Sequence, residues 1–236
     1  MTAERHGVAV SGPDAEKFLQ GQISQDVSAL AVGDVAWSLV LQPTGRLVAV
    51  FRIQRQSPDS FLLDVEAGFR EALIERLERF KLRTDAVVTP VDHPIDVPIS
   101  WPGVDDPTDE GQRIRGAMPR LGAELTEDTI PGEAGAVFIE QTVSFTKGCY
   151  TGQELVARID SRGGNVPRPI RVLETDAPVA VGAEVRVDGE VVGKVTSAAD
   201  RAALAPLLRR VIVGQRVQID GVAAVVVGEQ PPVLDQ

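Results

Sequence analysis

Residues 147–154 read Lys-Gly-Cys-Tyr-Thr-Gly-Gln-Glu, and they gather the only cysteine, the only tyrosine and an amide–carboxylate pair into eight positions of an otherwise aliphatic chain. Gly148 and Gly152 permit tight or positive-φ backbone on either side of the thiol, and the run from Gln153 to Arg158 reads as the opening of a helix. Cys149 is therefore expected in a loop just ahead of a helix N-terminus. Backbone N–H groups there, with Lys147 two positions away, would favour a thiolate and attract an anion. The competing reading makes Cys149 a small buried hydrophobe. Gln153 and Glu154 are hydrogen-bond partners for a ligand or first-turn capping groups. Tyr150 is a stacking surface or a core residue with a satisfied hydroxyl.

Arg158, Arg162, Arg168 and Arg171 follow within fourteen residues. They suit a carboxylate or phosphate ligand, or ordinary pairing with surface acids. Gln22 and Asp26, in the first predicted helix and the segment after it, would line the same pocket if that helix faces it; local capping and surface roles are the favoured reading of both. The net charge of −10 argues against direct binding to nucleic acid. One cysteine rules out an internal disulfide, and two histidines make a resident zinc or other metal unexpected. No apolar run is long enough to span a membrane and no signal-like segment opens the sequence, so the expected location is the cytoplasm.

The elements that must position these residues follow in order. A strand at 7–10 leads into a helix started by Pro13 and Glu16 and interrupted near Gly21. Residues 35–41 and 46–53 form a predicted hairpin through the turn Gln42-Pro43-Thr44-Gly45, followed by a strand at 60–65. Phe69, Leu73, Ile74, Leu77 and Phe80 recur at helical spacing, and 86–91 reads as another strand. This order predicts an α+β domain over 1–92. Proline and acids dominate 93–112, read as an irregular connector. A segment at 113–164 carries the cysteine loop. From 165 to 236 short predicted strands, at 170–173, 184–187, 190–195, 211–213, 216–219 and 222–227, imply a small C-terminal β-barrel, with Asp188-Gly189 and Asp220-Gly221 as hairpin turns.

The octet KGCYTGQE resembles the signature of the YgfZ family of folate-binding proteins associated with iron–sulfur cluster assembly, relatives of the glycine-cleavage T-proteins. Similar segments occur in family order: SGPDAEKFLQGQISQDV at 11–27, LQPTGRLVAVFR at 41–52, RIRGAMPRLGAELTEDTIPGEAG at 113–135, ELVARIDSRGG at 154–164 and VVGKVTSAA at 191–199. The resemblance implies a ferredoxin-like, T-protein-type body and a tetrahydrofolate pocket faced by the cysteine loop. Cys149 and Lys147 would be its functional groups, and Tyr150, Gln153, Glu154, Arg158, Gln22 and Asp26 its ligand contacts. The implied role is maturation or repair of iron–sulfur proteins, including cluster-dependent tRNA-modifying enzymes, with client or assembly proteins as partners. Against the family pattern, Arg115 stands where many relatives carry a glutamate, and the connector replaces a middle domain. A folate-dependent aminomethyltransferase and an interaction protein that binds no folate are the alternative classes.

Overall fold

The computed structural model describes residues 4–161 and 163–228, arranged as two antiparallel sheets bridged by helices and irregular chain. The first sheet contains β1 (Arg5–Ser11), β2 (Val35–Leu41), β3 (Leu47–Ser57), β4 (Ser60–Glu66) and β5 (Val87–Val91), in the order β2-β3-β4-β1-β5. Helix α1 (Ala15–Gln22) follows β1 and α2 (Arg70–Arg79) follows β4. From Trp37 to Leu41 every residue of β2 is buried, the pattern of a strand covered on both faces. Leu73 and Leu77, one turn apart on α2, are fully buried, as their helical spacing requires.

The connector is irregular in backbone as far as α3 (Glu110–Arg115), yet several of its apolar residues are part of the interior. Ile95, Trp101 and Val104 are buried, and the Trp101 ring meets Trp37 edge-on at 5.6 Å and Phe138 at 6.2 Å. Trp37 Nε1 donates to Ser100 O at 3.0 Å. Arg52 donates from Nη1 to Val97 O and from Nη2 to Ile95 O, while Nε and Nη2 hold Asp64, which also accepts from Arg5 Nε and Ile95 N. A short stretch of chain is thus tied to the first sheet by side-chain hydrogen bonds and ring contacts.

Helices α4 (Ala136–Thr142) and α5 (Gln153–Ser161) flank the cysteine loop. The second sheet runs β8-β7-β11-β12-β6-β10-β9, built from β6 (Ile170–Thr175), β7 (Glu184–Val187), β8 (Glu190–Lys194), β9 (Ser197–Ala199), β10 (Ala202–Pro206), β11 (Arg216–Ile219) and β12 (Val222–Gly228). It curls as a half-barrel with its own core of Leu173, Val185, Ala203, Val217 and Val226, rather than closing as the expected barrel. A single bridge from Gly193 to Leu207 brings β8 against the end of β10. Asp188-Gly189 and Asp220-Gly221 all have positive φ, the two-residue hairpin turn expected of them. The strand expected at 211–213 is instead a turn: Val211 N donates to Leu208 O, Gln215 N to Ile212 O, and Gly214 has φ +84. Buried Glu124 joins the second sheet to the body, accepting from Ser197 Oγ at 2.6 Å and pairing with buried Arg113.

Candidate functional site: an anchored cysteine loop between two cavities

The last turn of α1 and the chain after it present a row of carbonyl oxygens to the cysteine loop. Thr151 N donates to Gly21 O at 3.1 Å, and Ser144 N to Ser24 O at 3.0 Å. Lys147 Nζ donates to Ile23 O at 2.7 Å and Gln25 O at 2.8 Å. At the foot of the loop, Ser24 Oγ donates to Thr142 O at 2.6 Å and accepts from Leu39 N at 2.7 Å. The Gln42–Gly45 turn closes on the loop from the other strand pair: a Cβ on Gly152, where φ is +88, would stand 2.6 Å from Gln42 O, and one on Gly45 would stand 2.5 Å from Leu155 Cβ. Glycine is required at both positions by contact and conformation together.

Within this frame Phe145, Thr146, Gly148 and Cys149 are exposed, and Phe145 keeps 51% of its surface in solvent. Lys147 lies over the Tyr150 ring at 5.2 Å, and burial brings its amine down to about 8, with Asp26 pulling the other way. Its ammonium is committed to two carbonyls. Tyr150 belongs to the core, and burial pushes its phenol up to about 12. Gln153 Oε1 accepts from Tyr150 N at 3.1 Å, the first-turn capping role. Glu154 and Arg158 are exposed on α5.

Gln22 Oε1 accepts from Arg76 Nη1 at 3.1 Å and from Thr151 Oγ1 at 3.3 Å. Asp26 accepts from Ser28 Oγ, Ser28 N and Gln20 Nε2; the Ser28 hydroxyl is the main cause that holds its carboxyl below the usual range. The structure therefore brings Gln22, Lys147, Tyr150 and Gln153 together as the mount of the loop. Arg168 is exposed beyond α5, Arg171 lies on β6, and Arg162 falls outside the described residues. Sequence reading missed Arg76, a buried guanidinium that donates to Leu41 O at 2.8 Å and stacks on Phe80 at 3.9 Å; burial takes it down to about 10. An arginine between two glutamates of a helix carries no local sign of burial.

Two cavities flank α4. The larger, of about 800 Å³, lies between α4, α5 and β6 and takes in Ile139, Val143, Val156, Ile159, Arg171 and Arg209, with Phe145 beside them. The smaller, of about 450 Å³, lies between β2, β3 and the connector and takes in Trp37, Arg52, Val97, Ser100 and Gln141. Glu140 lines both. None of Gln22, Asp26, Lys147, Cys149, Tyr150, Gln153, Glu154 or Arg158 lines either cavity, and the loop borders the larger one through Phe145. No cluster of three or more metal-ligating side chains occurs among the described residues, and none of their helices is long and apolar enough to cross a membrane.

No family model matches the sequence. An uncharacterized protein of Haemophilus influenzae is 28% identical over 226 residues, covering 81% of this chain and 80% of the other. The mitochondrial iron–sulfur cluster assembly factor IBA57 homolog of Mycosarcoma maydis is 26% identical over 209 residues, covering 66% and 52%. Its counterpart in Pyricularia oryzae is 27% identical over 208 residues, covering 67% and 53%. The chain spans about half the length of these two assembly factors. Among solved structures, the glycine cleavage system aminomethyltransferase T of Bartonella henselae superposes with a TM-score of 0.77 over 95% of this chain and 83% of that one, at 16% identity. The chain therefore has the fold of aminomethyltransferase T, and its sequence is similar to that of iron–sulfur cluster assembly factors.

Proposed function

We propose that this chain is an accessory protein of iron–sulfur cluster assembly or repair that meets client or assembly proteins through the Cys149 loop, without turning over a substrate itself. The observation that carries this reading is the mounting of the loop: Cys149 and Phe145 are exposed while Ser144, Lys147 and Thr151 are fixed to the end of α1 and the chain after it. A thiolate is the cysteine form that ligates iron, and a pre-ordered loop loses little freedom on docking. Similarity to two assembly factors supports the same process. Cluster-dependent tRNA-modifying enzymes are among the clients proposed. Activation of an iron–sulfur enzyme should fall with Cys149→Ala and with Phe145→Ala; a Cys149→Ala protein as effective as wild type would remove the thiol from this role. Turnover of an aminomethyl donor in parallel would favour a transferase.

A reduced folate is the proposed small-molecule ligand, and the smaller cavity suits its heterocycle better than the loop does. Trp37 supplies an aromatic wall there, and Ser100, Gln141 and Glu140 supply hydroxyl, amide and carboxylate groups for a polar ring edge. At the loop, Gln22 and Gln153 are already engaged within the chain. Calorimetric titration with tetrahydrofolate distinguishes the two places. Loss of binding in Gln141→Ala puts the ligand in the smaller cavity, and loss in Glu154→Ala puts it at the loop. No heat at millimolar ligand removes folate and leaves the accessory role standing.

A further inference from the structure

The larger cavity differs in chemistry from the smaller one. Its floor is aliphatic, formed by Ile139, Val143, Val156, Ile159, Val166 and Pro169, and among the described residues Asn165 supplies its only neutral polar side chain. Such a floor offers the polar edge of a heterocycle few partners and favours a hydrocarbon chain. Its volume of about 800 Å³ is that of a small-molecule site.

The charges on the walls are segregated. Both arginines come from the sheet side: Arg171 on β6 pairs with Ala205, and Arg209 continues the same β6–β10 pairing through its N–H to Pro167 O. Both acids come from helices, Glu140 from α4 and Asp160 from α5, and both are exposed. Glu140 also borders the smaller cavity, which places it on the wall facing β2 and β3. The Arg209 side chain is exposed and forms no ion pair among the described residues.

We propose that this cavity binds a medium-chain carboxylate, its hydrocarbon chain on the aliphatic floor and its single anionic end at the sheet wall beside Arg209. A ligand with several negative charges would also meet Glu140 and Asp160, and a cationic one would meet the arginines. This assignment does not rest on the role of the cysteine loop or on folate.

The test is calorimetric titration of the full chain with decanoate, decanol and decylamine. Decanoate should bind, with decanol about tenfold weaker and decylamine without detectable heat. Arg209→Ala should weaken decanoate about tenfold and leave decanol unchanged. Ile159→Trp, which fills the floor, should abolish binding of both. Decanol binding as tightly as decanoate, or Arg209→Ala without effect on decanoate, would overturn the anionic end. No heat from any of the three would overturn the site, as would displacement of decanoate by tetrahydrofolate. Arg209 is exposed, so its variant keeps the test decisive should Ile159→Trp not fold.

Discussion

The connector and the cysteine loop are both irregular chain laid against the first sheet, and they are attached by opposite means. The connector is sewn on by a buried carboxylate between two arginines: Asp64 is inaccessible, and Arg52 and Arg5 expose only 4% and 8% of their side chains. The two guanidinium groups share the one carboxylate, and all three side chains have further backbone partners. The cysteine loop is held by a half-buried ammonium on neutral carbonyl oxygens, with no carboxylate in ion-pair contact with Lys147 among the described residues. A fully paired network fixes structure and tolerates little change. A cation on carbonyls holds a loop more weakly and leaves it responsive to protonation.

The largest expected effect comes from unbalancing the first attachment. Asp64→Ala leaves two buried guanidinium groups unpaired and should cost about 3–5 kcal/mol in chemical denaturation. Tryptophan emission should shift with it, because Trp101 belongs to the connector and Trp37 contacts it. A variant of near wild-type stability would show that the connector is not held this way. Next in size is Gly152→Ala, which puts a Cβ against the Gln42 carbonyl at positive φ and should cost about 2–3 kcal/mol. Here the contrast can be sharpened: amide exchange should quicken in 144–152 while the connector stays protected.

Glu124→Gln tests the same principle where the body meets the second sheet. The amide keeps an acceptor for Ser197 Oγ but withdraws the charge facing Arg113, for an expected loss of about 2 kcal/mol. Loss confined to the second sheet, read by its own unfolding transition, would show that the two cores are coupled mainly through this pair.

Much of the first sheet was legible because its strands are bounded by strong turn chemistry. Val35–Leu41 coincides with β2, and both Asp-Gly pairs became hairpin turns. The strands β9 and β10 were missed because Ser197–Ala199 and Ala202–Pro206 are rich in alanine, a residue with little strand preference. Val211–Val213 misled in the opposite sense, since β-branched residues there serve a turn that leaves Ile212 and Val213 exposed. At the candidate site, the glycines and Lys147 drew attention to the correct loop. The target of Lys147 did not show, because backbone carbonyls more than a hundred residues away leave no mark on composition. The bland readings of Tyr150, Gln153 and Asp26 describe their contacts here: core packing, first-turn capping and a local turn.

The smallest expected effect is the most specific to the loop. The Lys147 amine sits near 8 in the folded chain, below the ordinary lysine value of 10.5, so between those values the unfolded chain binds more protons than the folded one. Stability therefore rises with pH across that window. The Tyr150 phenol, raised to about 12 from 10.0, acts in the other sense: above about pH 10 the unfolded chain ionises first and stability falls. The window from about pH 8 to about pH 10 thus reports on Lys147 with Tyr150 silent. Lys147→Met should cost about 1 kcal/mol near neutral pH, since two carbonyls lose a donor while the burial cost of the ammonium disappears. The gap between wild type and variant should then widen toward about pH 9.5 in denaturant titrations. A gap that stays constant or narrows would mean that the ammonium is not desolvated at its carbonyl seat, and the contrast between the two attachments would reduce to geometry alone.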